Sequence, residues 1–505
     1  MKNILNITIF SMVIGWLSTS CEMDRYPFDA ILAEEGFQTM ADAHRHNNGH
    51  YAYLRSRVYG GFMQNTEWQS DLYNATIGHT NTPALHRMAV TMLSDGNVGG
   101  VWSSAYSAIG QLNNFLVRIH EVEEPDLPVI ARYIAEAHYF RAYYYYILIR
   151  HFGANYDPAT AADLPGVPLI TVLDRYAQPS PRASLAEVYD FIMSEIALAE
   201  EGGITTQGAQ RSDRVTIDAV RALKAKIQLL MHDFEGAATT ANAIISTGRY
   251  PLATTEATIR SGWHSDNWTE DIFLLFMATG TAADRDGTGT QGSLVSWNAA
   301  DGAFAPGYIP TQTVLDLYAA GDRRRAVFFS NIGTDFLMYR SIEYRGVYFM
   351  TKWPGNALTR PSSGANYFHR PKVHRIAEQY LIAAEALAHP NNPSRDEAQA
   401  LTRLNQLRTA RGLAALTQWD EQEMRNEWVR EMIGEGVRIE CLKRWNVGIN
   451  GRVPQNTVVV LSPEGAETTN LICPPGYYRF TWPVPLTEMR TNPNISQTPE
   501  WVTPQ

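Results

Sequence analysis

The feature that most constrains this chain is an apolar period of three to four residues that recurs in paired segments. In residues 130–150 the apolar positions Ile130, Tyr133, Ile134, Ala137, Phe140, Tyr144 and Leu148 line one face of a helix, and Gly153 stands ready to stop it. Ser184 and Glu187 form a capping-box pattern that opens a second helix. Leu185, Val188, Tyr189, Ile192, Ile196 and Ala199 share its face, and Gly202 and Gly203 end it. Thr216 starts a third, with Val220, Leu223, Ile227 and Leu230 inward, and a fourth runs from Phe234 to Gly248. This last pair, from Thr216 to Gly248, spans 33 residues, close to the roughly 34 of a tetratricopeptide unit. A similar pair recurs at 375–389 and 397–412, where Ser394 and Glu397 suggest another capping box. A further helix is expected over about 422–433, continuing through Gly434 and Gly436 towards Trp445. Helical hairpins bury their faces on one another, so the expected fold is mostly α: a tetratricopeptide-like scaffold with a large irregular, loop-rich insertion and few short strands.

Residues 251–370 break the pattern. They are rich in Gly, Pro, Ser, Thr and Asn and carry Trp263, Trp268, Trp297 and Trp353, the composition of binding loops on a rigid frame. Residues 446–505 hold several prolines and no helical period. The expected divisions are 1–20, 21–250 and 251–505, the last comprising variable loops to about 370, hairpins over about 373–445 and an irregular end.

Composition excludes some partners. The 505 residues carry 42 Lys+Arg against 52 Asp+Glu, a net charge of −10, which argues against a phosphate-binding surface and hence against nucleic acid. Only six of the cations are lysines. Arginine forks suit carboxylate pairing, so many internal ion pairs are expected.

Residues 1–20 have the layout of an export signal: Lys2, a broken apolar run, then Ser18, Thr19 and Ser20 before Cys21. The run is too short to span a bilayer. Cys21 after small residues resembles the lipobox of bacterial lipoproteins, although Leu17 precedes it by four positions where the usual pattern has three. The alternative is a plain signal peptide. Cys441 and Cys473 are too few for a disulfide framework; sequence leaves open whether they pair.

Four ordered stretches together resemble the SusD/RagB family of Bacteroidetes outer-membrane nutrient-binding lipoproteins. They are Ala135-Glu136-Ala137 through Arg141-Ala142-Tyr143 and Phe152-Gly153 to Pro168-Leu169-Ile170; Arg375 to Ala386 with Leu404, Asn405, Arg408 and Arg411; Glu435-Gly436 and Arg438 to Trp445; and Trp482-Pro483-Val484-Pro485 with Asn492 and Gln497. Cys441 stands where the family usually has an aspartate. The resemblance implies a lipid anchor at Cys21 and a surface-exposed outer-membrane location. It also implies a role as lid over a TonB-dependent transporter of the SusC/RagA type, with oligosaccharides or, in the RagB branch, peptides as ligand. It implies neither catalysis nor a cofactor.

Sugar binding needs aromatic platforms with short polar side chains beside them. Trp68, Asp71 and Tyr73 in one stretch, and Trp297, Asn298 and Tyr308 in the central loops, are the candidates; the alternative for each ring is packing on the scaffold. Trp263 and Trp268 flank a turn before an apolar strand at 272–277 and are expected to pack, with Trp102 and Trp445 in the core. His44, His46 and His50 read as a solvated polar segment rather than a zinc site. Residues 284–289 read as a glycine-rich turn rather than a calcium loop, because position twelve is Val295. No metal is expected. Glu427, Glu431, Glu435, Arg438 and Arg444 are expected to form internal ion pairs. The remote alternative is a surface hydrolase using Asp266, Glu270 and Asp271.

Overall fold

The computed structural model of the chain describes residues 36–78, 83–89, 96–172, 178–278, 296–298, 302–331, 336–353, 369–455 and 460–502. Cys21, the export signal and the 284–289 turn lie outside them. The principal helices are α1 Met40–Val58, α2 Gln64–Gln69, α3 Gly96–Arg118, α4 Leu127–Phe152, α5 Leu185–Glu201, α6 Ile217–Leu230, α7 Phe234–Ser246, α8 Glu256–His264, α9 Ile376–Ala388, α10 Glu397–Ala410, α11 Glu421–Met432 and α12 Arg438–Arg444. The fold is the expected one, a helical scaffold with few short strands.

Helices α3 to α7 pack each on the next; α9 then packs on both α7 and α10, which makes one antiparallel array. The Ser184 capping box is present with both reciprocal bonds, and Thr216 caps α6. Three local expectations change. Asp396, not Ser394, caps α10: its carboxylate accepts the Gln399 N–H, while the Ser394 hydroxyl donates to Glu235. The helix from 421 does not run through to Trp445. It stops at Met432, and Gly434 and Gly436 turn the chain at φ +76° and +77°, a region that favours glycine. The histidine segment lies within α1, whose Thr39 capping box and buried Ala43, Tyr51, Leu54 and Val58 hold it in place. His50 is buried there against Phe115, His44 meets Tyr133 and His46 stacks on Phe37, so the three rings point to different partners.

One large core follows the array and contains residues from Phe37 to Ile495, so the parts on either side of residue 250 share it. A second core gathers α2, α8 and the insertion, with Trp68, Tyr73, Trp263, Trp268, Tyr308, Phe349 and Trp353. Trp263 and Trp268 are buried, as is Trp102. Trp445 is only partly buried and donates its indole N–H to Glu385 at 2.8 Å.

The strands are β1 Tyr73–Ala75, β2 Asp271–Leu274, β3 Trp297–Asn298, β4 Ala303–Phe304, β5 Tyr308–Pro310, β6 Phe329–Ser330, β7 Leu337–Tyr339, β8 Ile342–Tyr344, β9 Phe349–Met350, β10 Lys372–Arg375, β11 Ile449–Asn450 and β12 Ile472–Cys473. β2 is shorter than the strand expected over 272–277. It pairs antiparallel with β10, so the two ends of the insertion close on each other. Cys441 and Cys473 are free, buried thiols.

Candidate ligand-binding region

Two groups of candidates far apart in sequence come together. β1 pairs antiparallel with β5, setting Tyr73 opposite Pro310 and Ala75 opposite Tyr308. Trp68, on α2, stacks on Tyr308 with centroids 5.6 Å apart and planes 19° apart. His86 meets Tyr308 edge-on at 5.4 Å and donates from Nδ1 to the Trp68 carbonyl at 2.9 Å. Arg452 seats the end of α2. It is fully buried and donates to the carbonyls of Gln69, Ser70 and His86 at 2.9, 2.9 and 2.7 Å. A cation there complements the negative end of the helix. Burial lowers Arg452 to about 10, against the opposing pull of the Asp71 carboxylate.

These rings face inward. Trp68 is 6% exposed, Tyr308 1% and Tyr73 0%, so none offers an open face to a sugar in this structure. Asp71 is also occupied: Arg438 donates to it from Nε and from a terminal nitrogen, both at 2.7 Å. Burial alone would raise the Asp71 carboxyl, but Arg438 holds it below the usual carboxylate range. The physical reason is that α2 and β1 form a floor, and large rings in a floor are most stable when packed.

β3, β4, β7 and β8 form a four-stranded sheet in that order. Its register places Trp297 opposite Phe304, Phe304 opposite Leu337, and Leu337 opposite Tyr344. Trp297 and Tyr344 therefore end one rung whose middle, Phe304 and Leu337, belongs to the second core. The side chains of Trp297 and Asn298 lie outside what the structure describes. Tyr344 is partly exposed, and Ile342 on the same strand is 55% exposed.

Sequence reasoning missed this β7–β8 hairpin. Its two-residue turn, Arg340 and Ser341, has φ +51° and +64°, the primed geometry that Asn-Gly usually signals. Without that signal, only the Tyr339 and Tyr344 spacing marked it. Nearby, the guanidinium of Arg345 lies over Phe336 at 4.8 Å and that of Arg325 over Tyr348 at 5.6 Å. Gln455 holds the Tyr348 backbone, accepting from its N–H and donating to its carbonyl, both at 2.9 Å.

A buried ion network joins this region to the scaffold. Glu431 receives Arg324, Arg411 and Arg375 at 3.1, 2.9 and 3.0 Å, and Glu427 receives Arg324 at 2.6 Å. Burial opposes the Glu431 charge, but the three guanidiniums hold its carboxyl well below the usual range. Glu435 pairs with Arg375 and Lys352, and Arg444 with Glu385. The expected internal pairing of these residues is therefore present. The hydrolase candidates are drawn into it too. Glu270 is held bidentately by Arg411 at 2.8 Å, Asp266 meets Lys372 at 2.8 Å, and Asp271 lies 3.9 Å from Lys372. All three are buried. Burial pushes Asp271 up to about 6.

Comparison with known proteins decides the family. A model described as "SusD family" matches residues 339–501, and one described as "Starch-binding associating with outer membrane" matches residues 27–229. The chain belongs to the SusD/RagB family. It is 25% identical over 482 residues to the SusD-like protein P2 of Formosa agariphila, covering 87% of this chain and 89% of that protein. Among solved structures, a SusD superfamily protein from Bacteroides thetaiotaomicron aligns with a TM-score of 0.76 at 20% identity, covering 91% of this chain and all of that one. A laminarin-binding SusD-like protein aligns at 0.68 and 19%, covering 92% and 100%. The surface glycan-binding protein A of Bacteroides fluxus aligns at 0.67 and 21%, covering 92% and 99%. These likenesses establish a shared SusD fold. Among the described residues no helix is long and apolar enough to cross a membrane.

Proposed function

We propose that this chain is a non-catalytic, cell-surface lipoprotein that captures nutrient oligosaccharides and passes them to a partner TonB-dependent transporter of the SusC/RagA type. The observation that carries this reading is the family match over residues 27–229, whose description names starch binding and association with the outer membrane. Two structural neighbours whose names specify laminarin or glycan binding support the ligand class. Acyl chains on Cys21 would anchor the body, at about 0.8 kcal/mol per buried methylene.

Ligand contact is assigned to Trp297, Asn298 and Tyr344 on the four-stranded sheet, with Trp68, Tyr73 and Tyr308 as the packed floor. Tyr344 is partly exposed on β8, and an aromatic ring there suits the face of a sugar unit. A peptide ligand is the second reading. It is favoured by β8, which among the described residues is an edge strand with an exposed Ile342 and Glu343 and so can accept an added strand.

The test is calorimetry of the chain from residue 22 onward against a glycan panel and a mixed peptide digest. Glycan binding that is lost in Trp297→Ala and Tyr344→Ala supports the first reading. Peptide binding alone supports the second, and retention of wild-type glycan affinity in both variants removes the site assignment.

A further inference from the structure

Gln455 follows closely on Arg452, which seats α2, and it is 5% exposed. Its side-chain amide makes three hydrogen bonds: Oε1 accepts the Tyr348 N–H, and Nε2 donates to the carbonyls of Tyr348 and Pro310, all at 2.9 Å. One backbone N–H and two backbone carbonyls fix which end of the amide is oxygen. Tyr348 sits between β8 and β9 and belongs to neither. The glutamine gives it one bond to its N–H and one to its carbonyl, the pair that a residue on a neighbouring antiparallel strand would give. Main-chain groups away from water need such partners. Pro310 closes β5, the strand that carries Tyr308, and Gln312 just beyond it donates its N–H to the Val453 carbonyl at 2.8 Å. Residues 452–455 therefore tie the packed floor and the Tyr348 backbone to one another.

The Tyr348 ring is held as well. The Arg325 guanidinium that lies over it donates to the Tyr348 hydroxyl at 3.5 Å and to the Tyr318 carbonyl at 3.1 Å. A cation over the face of an aromatic ring is an attractive contact and steadies the ring. Val347, the preceding residue, is buried in the second core, and Gly346 turns the chain before it at φ +76°. Tyr348 packs against that core only in part and keeps some of its surface exposed, as does Tyr344 four residues earlier. A ring with a fixed backbone, one backed face and exposed surface suits a sugar unit, because little side-chain freedom remains to be lost on binding.

We propose that Tyr348 is a further ligand-contacting ring, taking the apolar face of a sugar unit on the side away from Arg325, and that Gln455 is the positioning residue that fixes it. This rests on the proposed function and extends its contact surface from Tyr344 around the 345–347 turn. The Tyr348 hydroxyl is already engaged by Arg325, so the ring and not the hydroxyl carries the contact. The chemistry of the amide explains why glutamine stands at 455. Glutamate has the same shape, but it would set a charged oxygen against the carbonyls of Tyr348 and Pro310 and lose both donated bonds.

The experiment titrates the chain from residue 22 onward with a glycan panel that includes starch and laminarin oligosaccharides. The tightest-binding member is then titrated into Tyr348→Ala, Tyr348→Phe, Gln455→Glu and the double variant of Gln455→Glu with Tyr348→Ala, each well below its thermal midpoint. Tyr348→Ala should weaken binding about fivefold or more, while Tyr348→Phe stays within about twofold of wild type. Gln455→Glu should weaken it by a similar factor to Tyr348→Ala. The double variant should bind no more weakly than the weaker single variant, because both changes remove the same contact. Wild-type affinity in Tyr348→Ala would overturn the ring assignment. Losses that multiply in the double variant would overturn the positioning role, since a merely structural Gln455 would act independently of Tyr348. If Gln455→Glu does not fold, Gln455→Met, which keeps the length of the side chain without its amide, takes its place in the cycle. Failure of every glycan to bind the wild type would overturn the proposed function and this assignment with it; glycan binding indifferent to Tyr348 would overturn the assignment alone.

Discussion

The helical array and the second core are built on opposite principles. In the array each element is declared locally: an apolar face repeats along α4 or α5, a side chain caps its start and a glycine its end. In the second core almost nothing is local. Its strands are two to four residues long, and β1 finds its partner β5 more than 230 residues away. What the array achieves by apolar period, the second core achieves by a few large rings and a buried ion network spanning residues 270–435. The regular part therefore carries the fold, while the part assigned to ligand binding is held by contacts that no short window of sequence contains.

If this contrast is right, single changes in the ion network should cost most. Arg411→Ala leaves Glu270 and Glu431 without one of their main partners in a buried site, and stability should fall by about 3–5 kcal/mol in urea unfolding. A loss near 0.5 kcal/mol would mean that the network is incidental. Trp68→Ala empties a packed floor position and should cost about 3 kcal/mol or more. It should also weaken ligand binding, but through the loosened floor, so binding and midpoint should fall together. In the array, Ser184→Ala removes one cap of one helix and should lower stability by only about 1 kcal/mol. Tyr344→Ala should be mildest for stability, within about 1 kcal/mol, while reducing glycan affinity, a separation that Trp68→Ala does not give.

The legibility of the sequence follows the same division. The 130–150 helix, the Ser184 box and the pair beginning at Thr216 were readable because their signals lie within one turn of the residues they govern. α1 was missed because a run of histidines and asparagines hid its apolar face, although Thr39 and Asp42 announced its cap. Trp68 and Tyr308 stand out in the sequence as candidate binding rings, yet whether a ring is a floor or a platform depends on β1 pairing with β5, which periodicity does not encode. Asp71 looked free until Arg438, from the far end of the chain, was seen to hold it. Tyr344 and Tyr348 went unnoticed because a primed turn was made by Arg340 and Ser341 rather than by Asn-Gly.

Glycan capture is assigned here to the four-stranded sheet beside a packed aromatic floor. Its most direct test is calorimetric titration of the chain from residue 22 onward, and of Tyr344→Ala and Trp297→Ala, with the glycan that binds best in the panel. A loss of affinity of at least about tenfold is expected in each variant, with thermal midpoints close to wild type. Unchanged affinity in both, or affinity lost only together with the fold, would contradict it.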